Sequence, residues 1–331
     1  MRRKLFLLSS GRLERESNTI AFVPASGEDR KFVPIKGISS IYAFGELDLN
    51  KRALELLAKE GIPLHLFNYY GHYVGSFLPR RHYNAGIVTL RQSEHYLDPG
   101  KRLYLARQFV VGSLRNLEAF LGYYGSRGIE LEEDIRTISR LRESAAAAGD
   151  VEELMGIEGN AREVYYGAWN SALPEGFRYS GRTRRPPRSR LDALMSMGNS
   201  LLYAAVLDEI HKTHVDPRIG YLHSTSSRKF SLNLDISDVF KPALVDRSIF
   251  SLVNRSALGD DDFSPDLGGI LLSEGGRRKF ISEFDAHMES TVMHRGLGRK
   301  VSYRELVRIE VYKIERHLIE GTPYEPFSMK G

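Results

Sequence analysis

The pattern of apolar residues changes at DPGKRLYLARQFVVGSLRNLEAFL, residues 98–121. Asp98 followed by Pro99 is typical of a helix N-cap with a proline at the first helical position. The apolar positions after them recur at steps of three and four residues: Leu103, Ala106, Val110, Leu114, Leu117 and Leu121. Since residues at this spacing share one face of an α-helix, the stretch predicts a long amphipathic helix and the start of a helical domain.

The residues before this helix have the pattern of β-strands. Short apolar or β-branched runs alternate there with turn signals. The predicted strands are Leu5–Leu8, Thr19–Val23, Phe32–Ile35, Ile38–Phe44, Ile62–Phe67 and Tyr73–Leu78. One short helix is predicted among them at Asn50–Lys59, where apolar residues take helical spacing before Gly61. We expect residues 1–90 to form a small β-rich, β-sandwich-like domain.

The residues after it have helical spacing almost throughout. The predicted helices are Leu131–Ala148, Val151–Ala172, Ser189–His214, Leu234–Asn254, Arg277–Arg295 and Ser302–Glu320. The last of them opens with Ser302-x-x-Glu305, which is a capping box. We expect residues 91–331 to form a larger all-α domain, so that the whole chain is of the α+β class.

The composition excludes several classes of protein. The 331 residues include no cysteine, which excludes a disulfide framework, a thiolate zinc site and a cysteine nucleophile. A formal net charge of +5 permits a nucleic-acid partner without demanding one. No run is apolar enough for a signal segment or for a membrane span of about 20 residues. We therefore expect a soluble, cytoplasmic protein with no membrane partner.

One carboxylate interrupts the apolar face of the helix predicted over 151–172. Glu158 shares that face with Leu154 and Ala161. A buried carboxylate is costly unless a cation, a hydrogen-bond donor or a metal compensates its charge. Two interpretations stay open: a partly exposed Glu158 that pairs with Arg162, and a buried one that has a functional partner.

A histidine and two aspartates form a second pattern. His223 ends the run Gly220-Tyr221-Leu222-His223, and Asp235 and Asp238 follow three residues apart on a predicted helix. Two carboxylates on one helix face offer oxygen ligands to a hard cation, and an added imidazole suits Mn²⁺ or Mg²⁺. The alternative is an ordinary acidic helix start beside a core histidine.

A third pattern is electrostatic. The segment Arg178–Arg190 holds six arginines in 13 residues and no acidic side chain. Guanidinium groups match phosphate oxygens, so the segment predicts a nucleic-acid contact; the alternative is a solvated loop before a helix. Asp208, His211 and His214 lie near a helix end, where histidines complement the helix dipole, and we do not interpret them as metal ligands.

Beyond these patterns, the sequence resembles the CRISPR-associated integrase/endonuclease family of spacer acquisition, CRISPR-associated protein one. The resemblance covers nearly the whole chain, and the order and spacing of its motifs are specific. The motifs are Phe44–Asp48, Phe67–Gly71, Gly75–Phe77, Ile157–Arg162, Arg184–Pro187, Gly198–Tyr203, Gly220–His223 and Leu234–Asp238. Asp238 stands where many members have Glu, and Asp192 where Asn is common.

The resemblance implies a helical catalytic domain with one metal site. It places the ligands of a divalent metal, Mg²⁺ or Mn²⁺, on Glu158, His223 and Asp238, and a further catalytic acid on Asp235. It also implies DNA contacts beside that site. The residues expected to contact phosphates are Arg184, Arg185, Lys229 and Lys241, of which the arginine pair is also supported by the cluster itself.

The function that the resemblance implies is the capture of foreign DNA. A metal-dependent endonuclease and integrase would insert short segments, the spacers, into the CRISPR array by phosphodiester transesterification. The implied partners are double-stranded DNA, a second copy of the chain joined through the N-terminal domain, and the small CRISPR-associated adaptation protein two. The alternatives are a branched-DNA nuclease of repair or recombination and a non-catalytic DNA-binding scaffold.

Overall fold

A computed structural model describes residues 3–80, 85–183, 186–223, 230–266 and 268–329. The chain divides into two compact units, Met1–Asn84 and Ala85–Gly331. The first is rich in strands and the second is mainly helical, which confirms the α+β class expected from the sequence.

The first unit consists of two four-stranded sheets and one helix. Its strands are β1 (Arg3–Leu7), β2 (Gly11–Glu16), β3 (Thr19–Pro24), β4 (Lys31–Pro34), β5 (Ile38–Ala43), β6 (Leu47–Leu49), β7 (Leu64–Phe67) and β8 (Tyr73–Phe77), and its helix is α1 (Lys51–Glu60). One sheet has the order β1-β5-β7-β8 and the other β4-β3-β2-β6. In the first sheet β1, β5 and β7 are parallel and β8 is antiparallel to β7.

Both sheets and α1 bury their apolar side chains in one core. Leu13 and Ile20 come from one sheet, Ile41 and Leu64 from the other, and Leu57 from α1. Strand β2 was not predicted, because Leu13 is its one buried residue and the side chains around it are mostly charged. Strands of this kind have no apolar run by which to recognise them.

The second unit is built from nine helices in the part that the structure describes. They are α2 (Gly86–Leu97), α3 (Pro99–Gly125), α4 (Glu132–Ala147), α5 (Val151–Ala168), α6 (Arg190–Ile210), α7 (Ser231–Lys241), α8 (Arg247–Asn254), α9 (Glu274–Glu289) and α10 (Tyr303–Glu320). The helix predicted from residue 98 is confirmed as α3, and the Asp98 side chain accepts a hydrogen bond from the backbone N–H of Lys101. No helix of the described ranges is long and apolar enough to cross a membrane.

Two features of this unit differ from the predictions. It is not all-α, because β9 (Phe263–Asp266) pairs with β10 (Gly269–Leu272) and β11 (Thr291–His294) pairs with β12 (Arg299–Ser302), each as a short antiparallel hairpin. The single helix predicted over 234–254 is instead α7 and α8, joined by a π-helical turn, Pro242–Asp246. A proline in a helix lacks the N–H that would continue the hydrogen-bond ladder, which explains the change of geometry there.

Candidate active site

The segment before α7 lies directly against that helix. Gly220 donates its backbone N–H to the Ser231 hydroxyl at 2.9 Å. A Cβ atom at Gly220 would lie 2.6 Å from the backbone of Ser231 and Leu232 and 2.8 Å from Asp235 Oδ2. Only glycine therefore allows the chain to approach α7 this closely, and the approach brings His223 to the helix face that carries Asp235 and Asp238.

Asp235 holds His223 in one orientation. Its buried carboxylate accepts the backbone N–H groups of Tyr221 at 2.7 Å, Leu222 at 3.2 Å and His223 at 3.2 Å. The ring Nδ1 of His223 lies 2.8 Å from Asp235 Oδ1. Because an ionised carboxylate only accepts hydrogen bonds, Nδ1 carries the proton in the neutral ring and Nε2 keeps its lone pair. A histidine fixed in this way through its second nitrogen is typical of metal ligands.

The second ring nitrogen of His223, Nε2, lies near Asp238. His223 Nε2 lies 3.9 Å from Asp238 Oδ2, and the Lys241 ammonium pairs with Asp238 Oδ1. Burial alone would raise the pKa of Asp238, but the positive charges of Lys241 and Arg162 and the nearby His223 outweigh it and hold that pKa well below its usual range. Asp238 is thus an anion throughout the physiological pH range.

Arg162 joins the remaining carboxylate to this group. Its Nε donates to Glu158 Oε1 one turn earlier on α5, and its Nη2 lies 3.2 Å from Asp238 Oδ1 on α7. The side chains of Glu158 and Arg162 are only 17% and 15% exposed. The pairing with Arg162 considered in the sequence analysis is therefore present, yet the same arginine bridges Glu158 to Asp238.

Another buried acid lies beside this group and was missed in the sequence. Asp246, in the π-helical turn, accepts a hydrogen bond from the Tyr165 hydroxyl at 2.8 Å. Burial raises the pKa of Asp246 to about 6. Asp246 follows Asp238 by eight residues, two helical turns, and that spacing was the available signal.

The donor set has the chemistry of a divalent-cation site. Among the described residues, no three His, Asp or Glu side chains already converge on one point as metal ligands, because Glu158 and Asp238 are turned onto Arg162. Two carboxylates and an imidazole are nevertheless ligand types that fit Mg²⁺ or Mn²⁺. In this arrangement the guanidinium of Arg162 supplies the positive charge that a metal ion would bring.

The expected DNA contacts are only partly described. Arg184, Arg185 and Lys229 lie outside the described residues, and Lys241 pairs with Asp238. Of the other arginines in the cluster, Arg178 and Arg188 are exposed.

Two further members of the cluster are neutralised by acids outside the segment that was counted. Arg182 binds Asp192 at 2.7 Å, and Arg190 binds Asp260 at 2.8 Å. The count of six arginines therefore overstates the charge that remains for phosphates. Asp192 has a structural role here, because its buried carboxylate accepts hydrogen bonds from Arg182 and from the backbone N–H of Thr183.

The histidines near the end of α6 do not join a metal site in the described residues. His214 pairs with Glu315 at 2.8 Å, and Asp208 with Lys212 at 3.4 Å.

Comparison with known proteins identifies the family. Residues 5–286 match the family model described as CRISPR associated protein Cas1. A CRISPR-associated endonuclease Cas1 of Thermodesulfovibrio yellowstonii is 46% identical over 328 residues, which cover 99% of each chain. A Cas1 endonuclease of Thermotoga maritima is 45% identical over 316 residues, covering 95% of this chain and 96% of the relative.

Solved structures agree in fold. A Cas1 protein from Thermotoga maritima superposes with a TM-score of 0.86 at 42% identity, over 99% of this chain and 100% of the other. A casposase bound to its integration product has a TM-score of 0.87 at 21% identity, over 100% of this chain and 96% of the other. A Cas6-RT-Cas1–Cas2 complex has a TM-score of 0.84 at 19% identity, over 100% of this chain and 36% of the other. The function expected from the sequence, an endonuclease and integrase of CRISPR adaptation, is confirmed at the level of the family. The chain belongs to the Cas1 family of CRISPR-associated proteins.

Proposed function

We propose that this protein is a divalent-metal-dependent DNA integrase in which Glu158, His223 and Asp238 bind Mg²⁺ or Mn²⁺. The observation that carries the proposal is the orientation of His223: Asp235 holds Nδ1, and Nε2 lies 3.9 Å from the ionised Asp238. Metal-ligating histidines usually donate their second ring N–H to a carboxylate in this way.

The reaction exchanges one phosphodiester for another. The 3′-oxygen of a short DNA attacks a phosphorus atom of the CRISPR repeat, a new P–O bond forms, and the bond to the repeat's own 3′-oxygen breaks, so that this oxygen leaves as a hydroxyl. When bound, a divalent cation would supply Lewis-acid polarisation of that phosphate. With water in place of the 3′-hydroxyl, the same site cleaves DNA as an endonuclease.

The residues of the chain have separate tasks in this scheme. Glu158 and Asp238 provide the anionic oxygens, and His223 provides an imidazole whose ring Asp235 orients through Nδ1. Asp235 is therefore a positioning residue. Arg162 and Lys241 are the nearest described cations, and both pair with Asp238. If a metal ion neutralises the carboxylates instead, the charges of Arg162 and Lys241 become available for phosphate oxygens.

The proposal includes the partners. Double-stranded DNA, as prespacer and repeat, would contact Arg184, Arg185, Lys229 and Lys241. Two proteins with a similar fold, a casposase bound to an integration product and a Cas6-RT-Cas1–Cas2 complex, support DNA and the small adaptation protein two as partners. We also propose that the chain acts as a homodimer in the cytoplasm.

An integration assay tests this function. Purified protein and its small partner are incubated with a fluorescent duplex and a supercoiled plasmid that bears a repeat, with Mn²⁺, with Mg²⁺ or with a chelator. We expect metal-dependent covalent joining that Glu158→Gln abolishes. The matched control is Glu163→Gln, the same change at an exposed position of α5. Joining by Glu158→Gln at the wild-type rate would refute the assignment of the site.

A further inference from the structure

The end of α7 lacks one of its own backbone donors. The carbonyl of Asp238 would accept a helical hydrogen bond from residue 242, but Pro242 has no N–H. Ser113, buried on α3, supplies the missing donor: its hydroxyl lies 3.1 Å from the Asp238 carbonyl oxygen. The π-helical turn Pro242–Asp246 begins directly afterwards, and such turns are rare and recur at functional sites.

Asn116 makes a second tie one turn further along α3. Its fully buried amide Nδ2 donates to the Val239 carbonyl at 2.9 Å and to the Phe327 carbonyl at 3.0 Å. Its Oδ1 accepts the backbone N–H of Met329 at 2.7 Å. A single side chain thus uses both of its N–H groups and its oxygen to join α7, next to Asp238, to the C-terminal segment.

The C-terminal segment Gly321–Met329 has no helix or strand but is firmly attached to the same unit. Glu310, which is buried on α10, accepts the Tyr324 hydroxyl at 2.6 Å and the Phe327 backbone N–H at 2.9 Å. The Phe327 ring stacks on Phe240 of α7, with ring centroids 4.7 Å apart and an interplanar angle of 8°. The segment therefore braces the helix that carries Asp238.

We propose that Ser113 and Asn116 are positioning residues for Asp238, and that Gly321–Met329 is part of the active-site framework through Asn116. The inference rests on the proposed function, in which Asp238 binds the metal. Without the two α3 donors, the end of α7 would lose the Ser113 contact that compensates for Pro242 and the Asn116 contact to the Val239 carbonyl, and the Asp238 carboxylate would move relative to His223. Loss of outer groups that orient ligands weakens metal binding by about 10–100-fold in known sites.

The test measures metal binding by the full-length protein. We expect Asn116→Ala to weaken Mn²⁺ binding, as measured by calorimetry, by about tenfold, which is the lower end of the 10–100-fold range. Ser113→Ala is a milder second variant, with an effect in the same direction. Ile138→Val is the control for loss of stability alone, since this buried residue lies on α4, which carries none of the site residues. Tyr104→Phe removes the hydroxyl that accepts the Tyr324 backbone N–H and controls for loosening of the segment away from Asn116. We expect both controls to bind Mn²⁺ like wild type.

A metal-free measurement keeps this inference separate from the proposed function. Hydrogen exchange in chelator should be faster over α7 and over 321–329 in Asn116→Ala than in wild type. Wild-type exchange over α7, wild-type Mn²⁺ affinity of Asn116→Ala, or an equal loss of affinity in Ile138→Val would each overturn the positioning role. If Glu158→Gln binds Mn²⁺ like wild type, the proposed ligand set fails instead, and the exchange data still decide whether Asn116 holds α7.

Discussion

Replacing Arg162 by methionine should make the stability of the helical unit depend on metal. The guanidinium that bridges Glu158 and Asp238 is 15% exposed, and the two carboxylates are 17% and 9% exposed. Removing one partner of a buried ion pair leaves an uncompensated charge and costs about 3–5 kcal/mol. Because Lys241 still pairs with Asp238, we expect the lower end, about 3 kcal/mol, for Arg162→Met in chelator.

Divalent metal should restore most of this loss. Ligand binding to the folded state stabilises it by about 2.7 kcal/mol when the free metal concentration is 100 times the Kd. The arginine also competes for both carboxylates and repels a cation, so its removal should tighten metal binding. A change of 1 kcal/mol moves Tm by about 2–4 °C for roughly 150–250 residues, so Tm in chelator should fall by about 6–12 °C.

Differential scanning calorimetry in chelator and in Mn²⁺ is the assay. Arg142→Met is the matched control, because it removes a partly buried ion pair of the same unit, 2.7 Å from Arg142 Nε to Glu118 Oε1, between α3 and α4. Its loss of stability should be the same with and without Mn²⁺. An equal loss for Arg162→Met in both buffers, or no loss in chelator, would show that Arg162 does not take the place of a cation.

Two further changes test other parts of the site. Asp235→Asn should weaken Mn²⁺ binding by about 10–100-fold in a calorimetric titration, because an amide no longer fixes the tautomer of His223. The control Asp260→Asn, at an exposed ion pair, should bind Mn²⁺ like wild type. Equal Mn²⁺ affinities of the two variants would contradict the positioning role of Asp235. Burial raises the pKa of Asp246 to about 6, so its favourable contribution is complete below about pH 4 and is lost as the pH rises through 6. Asp246→Asn should therefore increase the free energy of unfolding in chelator at pH 8 by an amount on the order of 3 kcal/mol, seen as a higher Tm, and change it little at pH 4. An equal rise in Tm at both pH values would contradict the argument that ionisation of Asp246 destabilises the fold.

Apolar residues at regular spacing or in short runs were the signal for the elements that sequence reasoning found. Helix α3 was predicted because Leu114, Leu117 and Leu121 recur at helical spacing, and all three are buried. The hairpin β11–β12 was not predicted, and the helix predicted over Arg277–Arg295 was wrong at its end, because α9 stops at Glu289 and Thr291–His294 is β11. The hairpin residues are mostly polar and partly exposed, so no alternation marks them.

The site was less accessible to such reasoning. Local spacing related Asp235 to Asp238, but no local pattern relates either aspartate to Glu158, some 80 residues earlier. The packing of α5 and α7 against α3 brings Glu158 near the two aspartates. From the sequence, only the family resemblance indicated that these residues share one site. Ser113 and Asn116 were visible as polar interruptions of an apolar helix face. Which carbonyl groups they bind depends on tertiary structure.

Under the proposed function, the bridging arginine has a consequence for how a metal ion would enter the site. A structural zinc finger is unfolded without its ion, because its ligands have no other source of compensation. Here the carboxylates have an internal counter-ion, so the chain completes its folding in a cell that is short of manganese. The proposed cation would then replace the Arg162 guanidinium as the counter-ion of the two carboxylates in a protein that is already folded. Such an ion could be lost and bound again without unfolding.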